Sequence, residues 1–244
     1  FLDTLELINL PIDNQTSDKK LNKISFKNSI RFENVDFSYL EKKLILKNIN
    51  LEIKKNKVFG IYGPTGSGKS TIINLILGFY RPTKGNIFID DKELKSDEVD
   101  KWQENLSYVP QKVYLIDDTI QTNITFEDND EKANHELLNK SIELAELGGF
   151  INEQKDGINH VIGEDAEKIS GGQKQRIGIA RALYHETDLL IFDEITSSLD
   201  SKSEANIINL ISKIKDKTII LITHKKKNLR VCDSILNLNN LKVK

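Results

Sequence analysis

The 244-residue chain has little of several features, and each shortage excludes a class of protein. Its single cysteine, Cys232, excludes an internal disulfide and a cysteine-based metal site, and it suits a reducing compartment. No run approaches the roughly 18 apolar residues of a membrane span, and the N-terminus lacks the basic and apolar regions of a signal peptide. The chain has no methionine and begins with Phe1, so we expect it to be part of a longer protein.

The chain also lacks an excess of charge of either sign. Its formal net charge is −2, which offers no electrostatic argument for nucleic acid as a partner. Charged residues make up 30% and hydrophobic residues 38%, which is the balance of a soluble globular protein. The length allows one large α/β domain or two small ones, and either could bury a sizeable core.

The most informative segment is GPTGSGKST at residues 63–71, which matches the pattern G-x-x-x-x-G-K-[ST]. Its glycines let backbone N–H groups surround phosphate oxygens. Lys69 can reach the β- and γ-phosphates, and the Ser70 hydroxyl can bind Mg²⁺. The β-prone VFGIY precedes the motif and the apolar TIINLIL follows it, so a strand and a helix N-terminus flank the loop. Since a chance glycine turn would lack these flanks, the motif predicts binding of a nucleotide triphosphate.

Two groups of strand-like segments predict an α/β fold. Apolar residues alternate over residues 30–39, and a second strand-like run follows Lys43. Together they predict an antiparallel hairpin that leads into the nucleotide strand, and RPTKGNIFID predicts a turn and a further short strand. Unbroken apolar runs at residues 189–192 and 218–223, separated by an amphipathic helical pattern, are typical of a parallel sheet covered on both faces.

Residues 117–186 are mostly helix-like and rich in polar side chains. We expect Gly148 and Gly149 to stop one of these helices. The letters SGGQ, from Ser170 to Gln173, indicate either a second phosphate-binding helix N-terminus or a serine N-cap beside a glycine hinge. The helix that they open has an apolar face formed by Ile177, Ile179, Ala180 and Leu183.

A third motif, LLIFDE at residues 189–194, is an apolar strand that ends in Asp193 and Glu194. Ligands of open α/β sheets bind at the C-terminal ends of the strands, so both carboxylates are candidates for the nucleotide site. Asp193 can hold Mg²⁺, and Glu194 can orient a water for attack on the γ-phosphate. For this motif alone, a strand end capped by solvated acids is the alternative.

The order and spacing of these motifs resemble those of the ATP-binding cassette, the nucleotide-binding domain of ABC transporters. The resemblance covers roughly residues 30–237 and rests on Walker A at Gly63, the signature ISGGQ at Ile169, Walker B ending at Asp193 and Glu194, SSLD at Ser197, and His224 after an apolar strand. It implies an α/β fold: a P-loop NTPase core with a mixed sheet, an antiparallel β subdomain and an α-helical signature subdomain. We expect a linker arm at residues 1–27, from a transmembrane domain that would precede it, and the nucleotide-binding domain at 28–244. The helical subdomain would span about 113–186.

The resemblance also implies which residues hold ATP and Mg²⁺. Tyr39 resembles the aromatic residue that stacks on adenine, although it could simply be an edge-strand tyrosine. The ATP contacts would come from Tyr39, Gly63, Pro64, Thr65, Gly66, Ser67, Gly68, Lys69, Ser70, Thr71, Ser170, Gly171, Gly172, Gln173 and Asp200. Mg²⁺ would be held by Ser70, Gln111 and Asp193, and hydrolysis would depend on Lys69, Gln111, Glu194 and His224.

In the resembled family neither ATP site is complete in one chain. Ser170 and Gly172 resemble signature residues that contact the γ-phosphate on the opposite subunit, and Asp200 resembles the aspartate at the dimer seam. The implied partners are a second nucleotide-binding domain, in a homodimer, and the transmembrane domain of an exporter. The implied location is the cytoplasmic face of the inner or plasma membrane.

Among ATP-binding cassettes, this chain resembles the exporter form. VPQKVYLIDDTIQTNI at residues 109–124 and the pair Gly163 and Glu164 carry this resemblance, although HVIGEDA lacks the usual second glycine. An exporter or a flippase is therefore the expected function. The alternative is a non-transport ABC ATPase that acts on chromosomes, in DNA repair or on ribosomes. The segment from Lys69 to Ser170 is too short, and too poor in heptads, for the long coiled coil of the chromosome and repair ATPases. The chain has one cassette, whereas ribosome-acting members carry two. A nucleotide-binding regulator without turnover is a third possibility.

Overall fold

Two β-sheets form the framework of the protein, as seen in a computed structural model that describes residues 23–39, 44–127, 132–162 and 169–240. Most of the predicted linker arm, and the pair Gly163 and Glu164, lie outside the described residues. The strands are β1 (Ser29–Phe37), β2 (Leu46–Lys54), β3 (Val58–Tyr62), β4 (Lys84–Ile89), β5 (Lys92–Glu93), β6 (Leu106–Val109), β7 (Leu189–Asp193), β8 (Thr218–Thr223) and β9 (Ser234–Asn237).

The first sheet is antiparallel, with the strand order β2-β1-β4-β5. The predicted hairpin is confirmed, and Ile30 pairs with Ile53 on one side and with Ile89 on the other. The apolar alternation of β1 changes phase after Phe32 because the register shifts there, beside Asn34 with its φ of 51°. Such a bulge bends the strand and restores the inward direction of the later apolar residues.

The second sheet has the order β6-β7-β8-β3-β9, and every pair among its described strands is parallel. Parallel and antiparallel pairs are thus divided between two sheets. Alternate residues of β7 face two different apolar clusters, with Leu190 and Phe192 in one and Leu189 and Ile191 in the other. The predicted sheet covered on both faces is confirmed, and it directs the C-terminal ends of its strands to one edge.

Seven α-helices lie within the described residues: α1 (Lys69–Ile76), α2 (Val99–Gln103), α3 (Ile120–Thr125), α4 (His135–Leu144), α5 (Gly148–Asn152), α6 (Gly171–Tyr184) and α7 (Ser201–Lys213). Short 3₁₀ turns occur at Ser96–Glu98, Gly157–Asn159, Lys226–Val231 and Leu238–Asn240. The predicted apolar face of α6 is buried. No helix in these described ranges is long and apolar enough to cross a membrane.

The prediction that Gly148 and Gly149 stop a helix is wrong. Helix α4 ends at Leu144, and both glycines belong to α5. The left-handed residue that ends α4 is Glu146, with a φ of 53°, and the Leu147 amide then donates to the Ile142 carbonyl at 3.0 Å. The Glu146 carboxylate is held by Arg176 and Lys213, so contacts with α6 and α7 stabilise the helix end.

Candidate functional site

The loop between β3 and α1 has the backbone conformation that a phosphate-binding loop requires. Gly66 and Gly68 have φ values of 78° and 96°, which a side chain would strain. Gly68 is the N-cap of α1 and offers no capping side chain, so the first N–H groups of α1 can be satisfied by an anion. Gly66 and Gly68 therefore have a backbone that suits a phosphate-binding loop, and their contact with a phosphate stays a prediction.

Lys69 is the buried cation of this loop. Its Nζ donates to the carbonyl oxygens of Gly63 and Pro64, both at 3.0 Å, and lies 3.3 Å from Glu194 Oε1. Only 8% of its side chain is exposed, so its contacts form in a region of low dielectric. The ammonium group is thus held where the loop meets the end of β7.

The Ser67 hydroxyl is a second feature that fits a phosphate. Its Oγ is buried and has no hydrogen-bond partner in the described part of the chain. Gly63 lies so close that a methyl group there would stand 2.6 Å from this oxygen. A buried hydroxyl without a partner is costly unless a ligand satisfies it. This orphaned donor, together with the bare N-cap, fits the phosphate chain of a nucleotide.

Glu194 and His224 follow the adjacent strands β7 and β8. His224 Nδ1 lies 3.4 Å from Glu194 Oε2, so Glu194 contacts both His224 and Lys69. The Glu194 amide donates to the Ile222 carbonyl at 3.1 Å, and its φ of 48° is unusual for a side-chain-bearing residue. Such strain persists only where the surroundings impose it, and it commonly marks a functional site. Three of the predicted catalytic residues therefore form one continuous cluster.

Asp193 has a partner that the sequence did not reveal. The Tyr108 hydroxyl, from β6, donates to Asp193 Oδ2 at 2.8 Å. Burial raises the pKa of Asp193, and the hydrogen bond from Tyr108 opposes this rise. Burial and the neighbouring Asp193 carboxylate raise the pKa of Tyr108, so the phenol remains a donor. Only the pairing of β6 with β7, which sets Tyr108 opposite Ile191, reveals this contact.

Replacing Tyr108 with phenylalanine is expected to raise the Mg²⁺ concentration for half-maximal phosphate release by about fivefold. A hydrogen bond to a charged group is worth about 1.5–3 kcal/mol, and we expect about 1 kcal/mol for this half-exposed phenol. Without that donor the Asp193 carboxylate is less available as a ligand. The measurement is a Mg²⁺ titration of phosphate release. Tyr114→Phe, at an exposed tyrosine, is the control, and an unchanged Mg²⁺ requirement in Tyr108→Phe would contradict the role.

Gln111 lies two residues after the end of β6 and connects two parts of the site. Its side-chain Nε2 donates to Ser197 Oγ at 2.9 Å, and its backbone carbonyl accepts from Gln175 Nε2 of α6 at 2.8 Å. Ser197 belongs to the segment after Glu194, so Gln111 is joined to both the Walker B segment and the signature helix. Gln111 Oε1, the Ser70 hydroxyl and the Asp193 carboxylate are oxygen donors of the kind that Mg²⁺ prefers, and their joint binding of the ion stays a prediction.

The signature residues form a separate group. Ser170 is the N-cap of α6, and its side chain and that of Gln173 make a reciprocal capping box. The structure therefore confirms a serine N-cap here. Gly171 packs beside Leu199 and Gly172 beside Ser203, at the start of α7. Among the described residues, Ser170 to Gln173 make no hydrogen bond or ion pair with Walker A or with Glu194.

Two further predicted residues lie at the edges of this arrangement. Asp200 is the exposed N-cap of α7, where it accepts from the amides of Lys202 and Ser203. Tyr39 is half exposed, its hydroxyl lies 3.1 Å from Thr71 Oγ1, and its ring packs edge-on against Tyr80. Tyr39 thus stands above the first turn of α1, and its contact with adenine stays a prediction.

A family model described as "ABC transporter" matches residues 46–197, which is more than half of the chain. The chain belongs to the ABC transporter family. The match includes Walker A, the signature and Walker B, so the part of the chain that carries these motifs is the family's ATPase domain. The sequence-based recognition is confirmed.

Similar proteins place the chain beside ABC exporters. A Rickettsia typhi protein named as export ATP-binding/permease is 41% identical over 88% of this chain and 38% of its own length. The ATP-dependent lipid A-core flippase of Photorhabdus laumondii is 36% identical over 93% of this chain and 39% of its own length. The solved structure of a bacterial Atm1-family ABC exporter with ATP bound matches with a TM-score of 0.78 and 32% identity. It covers 90% of this chain, which itself spans 38% of that protein.

Proposed function

We propose that this ABC domain hydrolyses ATP to power an exporter or flippase, at the cytoplasmic face of a membrane. The observation that carries the proposal is the cluster of Lys69, Glu194 and His224 in one place, with the signature Ser170 in another part of the same chain. The exporters and the flippase among the relatives support this reading over the non-transport alternative. Residues 28–244 would be the nucleotide-binding domain, with a helical subdomain at about 113–186 and an arm at 1–27 from a transmembrane domain.

The chain's own residues supply the chemistry of hydrolysis. Lys69 and the N–H groups of Walker A bind and orient the phosphates. The Glu194 carboxylate orients a water and accepts its proton as the water oxygen bonds to the γ-phosphorus and the bond to the ADP oxygen breaks. His224 lies beside Glu194 and donates to the γ-phosphate. Ser70, Gln111 and Asp193 would hold Mg²⁺, which would supply positive charge opposite the β- and γ-phosphates.

A second copy of the domain would complete each site. Walker A of one copy would face Ser170 and Gly172 of the other, so two ATP molecules join a head-to-tail dimer. The exposed N-terminus of α6 and the exposed Asp200 support this pairing. ATP would then bind the paired state better than the separated one, and hydrolysis would remove that difference.

An exposed apolar groove supports docking of a transmembrane domain. Tyr114 and Phe126 are 71% and 51% exposed, and Phe126 lies under the Arg181 guanidinium at 4.3 Å. Together with Val113 and His185, Phe126 and Arg181 line a groove of about 210 Å³. Exposed aromatic residues with an arginine are typical of protein interfaces. Membrane fractionation is expected to show that the natural full-length protein is released by detergent and not by high salt.

Cross-linking tests the head-to-tail pairing. Two differently tagged copies of the full-length protein would carry Thr65→Cys and Ser170→Cys, respectively. A short bismaleimide is expected to join the two tags only when ATP is present. The native Cys232 is a poor competitor because burial raises the pKa of its thiol to about 11.

The matched control places the second cysteine at Lys92, an exposed residue of β5. Cross-linking of Thr65→Cys to Lys92→Cys with equal yield would show that the reaction reports random collision. The same yield of the cross-link between Thr65→Cys and Ser170→Cys with and without ATP contradicts the proposed pairing.

A further inference from the structure

A buried glutamate outside the predicted site is surrounded by cations. The Glu204 side chain, on α7, is only 3% exposed. It lies 3.2 Å from Lys225 Nζ and 2.7 Å from Lys227 Nζ, and it accepts from Asn228 Nδ2 at 2.7 Å and from Thr196 Oγ1 at 3.4 Å. Burial opposes ionisation of Glu204, but the hydrogen bonds from Lys227, Asn228 and Lys225 outweigh it and lower its pKa to about 2. Glu204 is thus a fully ionised anion in the protein interior.

The partners of Glu204 come from two different loops. Thr196 lies two residues after Glu194, in the loop that follows β7, and Lys225 directly follows His224, in the loop after β8. The two loops also contact each other: Lys225 Nζ donates to the Thr196 carbonyl at 3.2 Å, and Asn228 Nδ2 donates to Thr196 Oγ1 at 3.0 Å. Glu204 is the anion that both loops share.

Stability alone is a weak reason for this cluster. Removing charges from water is costly, and apolar residues of similar volume often stabilise a core as well or better. What a set of directed ionic hydrogen bonds supplies is a defined geometry between the groups that it joins. Here the joined groups are the backbones on which Glu194 and His224 stand. The His224 side chain is 45% exposed, so surrounding packing alone holds it weakly.

We propose that Glu204 is a positioning residue for ATP hydrolysis, which holds the loop of His224 against the loop of Glu194 through Lys225, Asn228 and Thr196. This inference rests on the proposed ATPase function. Glu204 does not contact Lys69, Glu194 or His224 and acts only through its neighbours. Its removal should therefore affect the catalytic step more than ATP binding, since Lys69 and Walker A are held by other contacts.

The test is the Glu204→Gln variant of the natural full-length protein, which keeps the side-chain volume and removes the charge. We expect kcat for phosphate release to fall about tenfold or more, because small displacements of catalytic groups are costly. The affinity for ATP should stay within about twofold of the wild type. The control is Glu153→Gln, at an exposed residue after α5, which should change neither quantity.

A second variant, Lys227→Met, keeps the test decisive if Glu204→Gln folds poorly. The Lys227 side chain is 60% exposed, so its loss leaves the core intact, and we expect kcat to fall about threefold with unchanged ATP affinity. If both residues act through one cluster, the double variant should lose less than the product of the two single effects.

The outcomes separate this inference from the function on which it rests. A wild type that releases no phosphate overturns the ATPase function, and the positioning role with it. An active wild type with unchanged kcat in folded Glu204→Gln or in Lys227→Met overturns only the positioning role. A fall in kcat that is matched by an equal loss of ATP affinity likewise overturns it, since general unfolding or distortion would then explain the result.

Discussion

Replacing Glu194 with glutamine is expected to lower the rate of phosphate release by at least about a hundredfold, because general-base catalysis contributes about 10²–10⁴-fold. Glutamine has the size of glutamate, and its single amide oxygen can still accept a hydrogen bond from Lys69. It cannot take the proton of the attacking water. ATP binding should therefore persist, and the pair of domains should stay associated around ATP, which size-exclusion chromatography with ATP would detect.

A matched control exists for this variant. Glu146 also has a left-handed backbone, with a φ of 53°, and its carboxylate is also paired with cations, Arg176 and Lys213. These contacts lie at the junction of α4, α6 and α7 and not at Walker A. Glu146→Gln should keep wild-type turnover. Turnover of Glu194→Gln within threefold of the wild type would contradict the role of Glu194 as the base. If neither the wild type nor Glu194→Gln released phosphate at high protein concentration, the ATPase activity itself would be contradicted.

Replacing Lys69 with methionine is expected to weaken ATP binding by about 10–100-fold. A hydrogen bond with an ionised partner is worth about 1.5–3 kcal/mol, and every 1.4 kcal/mol is a factor of about ten. The methionine fills most of the same volume but removes the donor that the buried ammonium group offers. It also leaves the Gly63 and Pro64 carbonyls and one Glu194 oxygen without this donor.

The measurement is equilibrium binding of a fluorescent ATP analogue, with a melting curve to check the fold. Lys213→Met is the control, since Lys213 is also paired with a glutamate but is 64% exposed at the end of α7. It should bind the analogue as the wild type does. Unchanged affinity in a folded Lys69→Met protein would remove Lys69 from the nucleotide site.

The elements that local pattern predicts best are those whose own residues dictate them. Helix α1 begins directly after Gly68, the last glycine of the loop. Strands β7 and β8 are continuous apolar runs that must be buried on both faces. The SGGQ segment caps its helix with its own serine and glutamine. Predictions failed where a distant contact decided the outcome. Glu146 rather than a glycine ends α4 because Arg176 and Lys213 hold its side chain there.

The sequence by itself determined the glycine-rich loop before α1, the strand that delivers Asp193 and Glu194, and the capped signature helix. Each is a short-range pattern in which the backbone conformation and the chemical groups come from neighbouring residues. Only the tertiary structure brought Tyr108 to Asp193, Gln111 to Ser197, and Glu204 to the loop after His224. These contacts join residues far apart in the chain, and strand order and packing, which no local pattern encodes, decide which of them meet.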